Sequence, residues 1–585
     1  MSARASPGSM ASPGSIASNP SIASSVRWEQ AANAHIPDDA AGPMPPSPSL
    51  PPLPTSISED SSETNLEATA SEIQLELDRL MLHIAKDLEN MEVVNPEVVR
   101  VTPAFRVFQQ GALALRENEI DFYFKSQGAL KISTFWSHSW HGSKWNKIIT
   151  LITIYNGPAA AVSGMVSAVV AVILYCFEVL PSLDRGREED GISYGYSCWS
   201  LWFGFIATTL VMIFWRPRKG IFLDRICISS NEKLKAEAIF SLAGLLKHSD
   251  SMLILWDPTW TERLWCLFEL AAFLQSKKDQ KKQLLIRPTL SGPLHISFFL
   301  VSFAGMIPIN MVPMDVSEPI LMLANAGGVV LCASVASYVA MSTLRSYFRD
   351  LDTMKQQLLR VSFDTSRASC CDDGHRRGGR RTPCDRKILK ECVKQWFGSQ
   401  ETFEHTLRSE ILEILTRDLA KRVFTTKSTL AMFMPIIWAF MDHAASEERF
   451  YPGQFWVKWT GAAMLEGLSI WLLFMPILKD VLVLVGEVTR VRPKSLLMEV
   501  IKNSLASMTL LLPLMIVMGT YVGLTFIPAL YDFPPLVRSG IFFACMLLYS
   551  TLTRCIAAGI RAFSSWDPSV QWTKHGLMIA FECIW

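Results

Sequence analysis

The chain reads as an α-helical membrane protein of about eight crossings that carries a cytosolic α/β module built on a parallel sheet. Three observations predict this class. Apolar runs of roughly 20 residues, the length that crosses a bilayer, recur along the chain. The loops between them alternate between acidic and Lys/Arg-rich, as the positive-inside rule requires. The stretch 251–274, SMLILWDPTWTERLWCLFELAAFL, follows a different pattern: a short buried strand, a turn and a helix with one carboxylate among apolar residues.

Composition narrows the function classes. Half of the 585 residues are hydrophobic and 19% are charged, which is apolar for a soluble protein. A formal charge of +1 gives no phosphate footprint, so nucleic acid is not expected as a partner and the lipid bilayer is. The 12 cysteines are scattered and form no disulfide framework. Several of them (Cys176, Cys332, Cys545) sit in apolar runs as small hydrophobes. The opening residues, MSARASPGSMASPGS, lack the apolar core of a secretory signal.

Taken in order, 1–65 is a Ser/Pro/Ala-rich tail that cannot bury enough apolar surface to offset chain entropy, and is expected to be disordered. The segment 66–128 reads as helical and cytosolic. Within it Ile73, Leu77, Leu80, Ile84, Leu88 and Met91 recur four and three apart, a seam for a coiled coil or for docking on the chain's own domain. A strand and polar turn follow in 129–147. A transmembrane hairpin then occupies 157–215, with Gly157, Ala161, Gly164 and Ala168 as a small-residue contact face. Its acidic loop, DRGREED, falls outside, while Lys144, Lys147, Arg216, Arg218 and Lys219 fall inside.

The α/β pattern resumes at 220–290. There Asp257-Pro258 breaks the apolar strand, and Thr259 to Glu262 fits a capping box for the helix behind it. A second transmembrane hairpin spans 294–341. The segment 344–427 is helical and basic, with Arg376, Arg377, Arg380 and Arg381 suited to anionic headgroups. Cys370, Cys371, His375 and Cys384 lie in this segment. Their spacing, CC-x3-H-x8-C, matches no standard zinc knuckle, so a reduced cysteine cluster is read there and no metal is assigned. Four more transmembrane helices fill 428–560, at 429–445, 457–478, 506–530 and 536–559, and 561–585 is a cytosolic tail. Glu466 lies within one of these runs, where a carboxylate is costly and marks a candidate functional position.

Trp265-Cys266-Leu267-Phe268-Glu269-Leu270 resembles the WCxxEL box of Toll/interleukin-receptor (TIR) domains, which follows a strand ending in a loop. Phe135 to Trp140 (FWSHSW) is similar to their first strand and loop, and Ile221 to Asp224 to their second strand. The resemblance covers 129–147 and 220–290, split by the first transmembrane hairpin. It implies a TIR-like parallel-sheet module. In TIR domains that hydrolyse NAD the glutamate of this box is catalytic, so Glu269 is the implied catalytic residue. Trp265 is then the aromatic wall for the base, with Ser137, His138 and Asp224 lining the same end of the sheet. A partly apolar setting would also alter the protonation equilibrium of Glu269.

Three functions stay open at this stage. The chain could be a membrane-anchored signalling or scaffold protein acting by self-association or with other TIR-like modules. It could be an NAD glycohydrolase using Glu269, with NAD as substrate and no certain cofactor. It could also be a channel or transporter with a cytosolic regulatory domain. A hydrolase triad from Ser137, Ser139, His138 and His141 lacks an orienting third group and an oxyanion site.

Overall fold

In the computed structural model, short strands flanked by turn residues build a six-stranded sheet beside a body of long apolar helices. The described residues lie between 75 and 566, with the longer gaps at 117–119, 277–283, 312–318, 413–423, 451–458 and most of 509–532. The expected disordered tail 1–65 and the last part of the expected tail 561–585 lie outside them.

The strands, in chain order, are β1 (Arg100–Pro103), β2 (Gln127–Gly128), β3 (Thr134–His138), β4 (Leu183–Glu189), β5 (Ile192–Tyr196), β6 (Gly220–Phe222), β7 (Met252–Trp256), β8 (Leu284–Pro288) and a separate two-residue pair, β9 (Arg376–Arg377) with β10 (Arg380–Arg381). β4 and β5 pair only with each other. The large sheet runs β2-β1-β6-β3-β7-β8. Within it β6, β3, β7 and β8 are parallel, and β1 and β2 add antiparallel at one edge. The expected all-parallel sheet is therefore mixed. The edge strands are four and two residues long, too short to show an alternating pattern in the sequence. Counted in chain order, the parallel strands lie 2-1-3-4, the doubly wound arrangement whose order reverses between the first and third strands. All five residues of β3 and of β7 are buried, as a sheet covered on both faces demands.

The crossover from β3 to β6 is unusual. Instead of one short helix it holds α1 (Lys144–Cys176), the β4–β5 hairpin and α2 (Trp199–Phe214). At 33 residues α1 is about 50 Å long, so its first turns cover the sheet and its remainder extends well past it. Its outer face, Val162, Val166, Val169, Val170 and Ile173, is exposed, as are Ile206, Leu210 and Ile213 of α2. Contiguous exposed apolar faces on long helices suit lipid rather than water.

Behind β7 comes α3 (Leu264–Ser276), and behind β8 come α4 (Ser291–Met311) and α5 (Pro319–Leu359). Gly292 lets α4 sit against the α1 backbone, where a Cβ would lie 2.4 Å from Thr150 Cα. Thr150 closes the contact, donating to Thr289 O at 2.6 Å and accepting from Gly292 N–H at 3.0 Å.

Further along, α6 (Asp385–Phe397) packs on α3 and on the helical residues near 81–89, whose Met81, Ile84, Leu88 and Met91 are buried. Cys392 Sγ and Trp396 Nε1 donate to the carbonyls of Ala85 and Glu89, so this seam meets its own chain. α7 (Met434–Phe450) wedges Trp438 between α1 and α2, where Gly164 and Gly204 leave room for the ring. Asp442 then accepts from Ser197 Oγ (2.6 Å), Ser200 N–H (2.8 Å) and Leu201 N–H (2.9 Å), capping α2 from a neighbouring helix.

Among the described residues three helices are long and apolar enough to cross a membrane: Lys144–Cys176, Thr460–Val488 and Pro535–Cys555. The expected count of eight is corrected on physical grounds. The run 196–215 yields only the 16 residues of α2, because Ser197 and Cys198 go to the cap around Asp442. The run 429–445 is broken at Phe433 into Thr426–Met432 and α7. Much of the second hairpin, and most of the run 506–530, lies outside the residues whose side chains are described.

Candidate functional site

Glu269 projects from the middle of α3 toward the carboxyl end of β3. Its Oε2 accepts a 2.7 Å hydrogen bond from Ser137 Oγ, and Ser137 Oγ accepts from Trp260 Nε1 at 3.1 Å. The carboxylate is 7% exposed. It lines a cleft of about 360 Å³, counting the part open to solvent, with Trp136, His138, Trp140, Asp224, Arg263 and Trp265 among its walls. Its enclosed part is small, about 20 Å³, room for about one water molecule. The cleft lies where β6, β3 and β7 end, beside the reversal of strand order, the usual ligand position in open α/β sheets.

All five residues singled out in the sequence meet here: Glu269, Trp265, Ser137, His138 and Asp224. Asp224, one residue beyond the β6 loop position Leu223, accepts from Trp140 Nε1 at 3.3 Å. His138 stands edge-on to Trp140, ring centroids 4.4 Å apart, and its carbonyl accepts from Cys266 Sγ. Trp265 is buried with its Nε1 on Asp385 Oδ2 at 3.0 Å, so it is both wall and anchor. His141 lies outside the described residues.

One local expectation fails. The capping box at Thr259 does not form, because α3 starts only at Leu264. Thr259 is used elsewhere, its N–H and Oγ1 donating to Asp257 Oδ1, with Oγ1 also 2.7 Å from the Ser139 hydroxyl. Trp260 folds under Trp256, ring centroids 5.0 Å apart. Every residue of α3 from Leu264 to Phe273 is buried, with Trp396 of α6 stacked on Phe268.

The loops beside the site are held by an ion pair that sequence reasoning missed. Lys147 Nζ lies 3.0 Å from Asp257 Oδ2, with both side chains 4% exposed, and also donates to the Ser139 carbonyl. Lys147 ties α1 to the loops after β3 and β7. Gly142 is required beside it, because a Cβ there would lie 2.0 Å from Asp257 Oδ2. In the sequence Lys147 reads only as a basic flank and Asp257 only as a strand breaker; 110 positions of chain separate them. Asp385, which holds Trp265, is 120 positions away from it and carries no motif either.

Compared with protein-family models, with curated proteins and with solved structures, the chain matches none.

Proposed function

We propose that this is a membrane-anchored protein acting through a cytosolic TIR-like α/β module, and that the cleft around Glu269 cleaves the glycosidic bond of NAD. The observation that carries the reading is the placement of a nearly buried carboxylate in an aromatic-walled cleft at the strand-order reversal. As the bond breaks, nicotinamide leaves with the electron pair, and the ribose carbon develops positive charge that Glu269 stabilises before water adds. Ser137 fixes the carboxylate's rotamer, and Trp140 and Trp265 line the cleft in which a planar base would sit. In this reading the three helices long and apolar enough to cross a bilayer anchor the module, with the Lys/Arg-rich loops on its side of the membrane.

A second reading, a signalling scaffold, is favoured by a specific observation. The whole WCxxEL helix is buried and Glu269 is satisfied locally by Ser137, as a purely structural box would be. Transport has less support: Glu466 accepts from Ser539 Oγ at 2.6 Å, a tie between two helices. The test is nicotinamide release by the detergent-solubilised full chain beside Glu269→Gln, which keeps shape and removes charge. Release lost in the variant supports the hydrolase. Absence of release from folded, self-associated protein leaves the scaffold, and equal release from both proteins removes Glu269 from the chemistry.

A further inference from the structure

The fold gathers Cys370, Cys371, His375 and Cys384, and their ligand atoms all lie within 4.8 Å of one another. Cys370 Sγ and Cys371 Sγ are 3.8 Å apart, as are Cys371 Sγ and Cys384 Sγ. Zinc–sulfur bonds of about 2.3 Å at tetrahedral angles put sulfurs about 3.8 Å apart, whereas a disulfide would bring them to about 2.05 Å. We propose that these three cysteines and one histidine hold a single zinc ion in a closed, structural site.

The backbone around the cluster is shaped for this. Cys370 and Cys371 sit on the short helix Ser369–Asp372, and Cys384 is the N-cap of α6. Between them Gly374 and His375 both adopt left-handed backbone, φ +65° and +56°. Such a conformation is uncommon outside glycine, histidine being among the residues that adopt it most readily. The turn is locked by His375 N–H donating to Cys370 O at 2.8 Å. Asp385 N–H donates to Cys370 Sγ at 3.3 Å, the kind of bond that steadies a metal-bound thiolate. Three soft thiolates with an imidazole select zinc over hard cations, and four protein ligands leave no open position for chemistry.

Spacing in the sequence assigned no metal because adjacent cysteines do not form a knuckle; here consecutive positions on a short helix hold their sulfurs 3.8 Å apart, a separation at which both can share an ion. The ion's effect reaches the cleft. Cys384 N–H contacts Met81 Sδ at 3.4 Å, and the next residue, Asp385, holds Trp265. The site would therefore pin the helical residues near 81 and α6 to the wall of the Glu269 cleft. The inference does not depend on NAD being the substrate.

The test is elemental analysis of the full chain purified in detergent with trace zinc. The expected result is about one zinc per chain, falling at least tenfold in Cys371→Ser and Cys384→Ser. Should those variants misfold, the wild type decides alone: its cobalt-substituted form is expected to show thiolate-to-cobalt charge transfer and the intense visible bands of tetrahedral cobalt. Background zinc in folded wild type, a Cys370–Cys371 disulfide in its place, or an octahedral cobalt spectrum would overturn the proposal.

Discussion

Lys147 and Asp257 form the most consequential pair at the scale of single residues. Two charges this deeply buried are tolerated because each meets the other and the loop groups Ser139 and Thr259. Removing one partner leaves the other as an uncompensated buried charge, which costs about 3–5 kcal/mol. Lys147→Met is therefore expected to lower unfolding stability by that amount in denaturant titration, while the exposed pair Lys131–Asp250 is expected to give less than about 1 kcal/mol when broken. The site residues divide along the same physical line. Ser137, His138, Asp224, Trp265 and Glu269 were legible because each sits at the end of a recognisable strand or on the box helix. Lys147, Asp257, Trp260 and Asp385 were not, because their roles come from contacts that only the folded chain makes.

Among the elements, α2 depends most on its neighbours. Its first turn is capped by Asp442 of α7 rather than by a side chain of its own. Asp442→Ala would leave two buried amides of α2 without that acceptor, at about 1–3 kcal/mol each. The expected readout is a lower Tm in detergent, with Asp442→Asn recovering part of the loss. A second tie, between α5 and the helix Leu496–Met508, is pH-dependent. Burial works against the Glu499 carboxylate, but hydrogen bonds and charge from Arg349 and Arg345 outweigh it and hold the group below its ordinary value. A lowered carboxyl contributes stability that is complete above its unfolded value and is lost as pH falls through the folded one. Thermal stability of the wild type should thus decline below about pH 4.3, and Glu499→Gln should be less stable at neutral pH with a flatter acid limb. The same scale explains what the sequence misjudged. Apolar length alone counted α2 as a crossing, though a cap consumes its first residues.

At the scale of the whole molecule, the sheet and the apolar helices share one covalent element. α1 leaves β3, covers the sheet with its first turns and continues as a helix long enough to span a bilayer. The doubly wound module is thereby interrupted between its first two parallel strands without losing their register, Thr134 facing Ile221 and Phe135 facing Phe222. An insertion is tolerated there because its ends, near Ser143 and Gly220, both return to the sheet. The proposed function requires that the Glu269 cleft face the same side of the membrane as the Lys/Arg-rich loops.

Nicotinamide release from sealed, oriented vesicles containing the full chain tests this most directly, with NAD supplied to one face at a time and Glu269→Gln alongside. The account predicts release only from the face bearing the module, abolished by the substitution. Release that persists in Glu269→Gln, or no release from either face of folded protein, would contradict it.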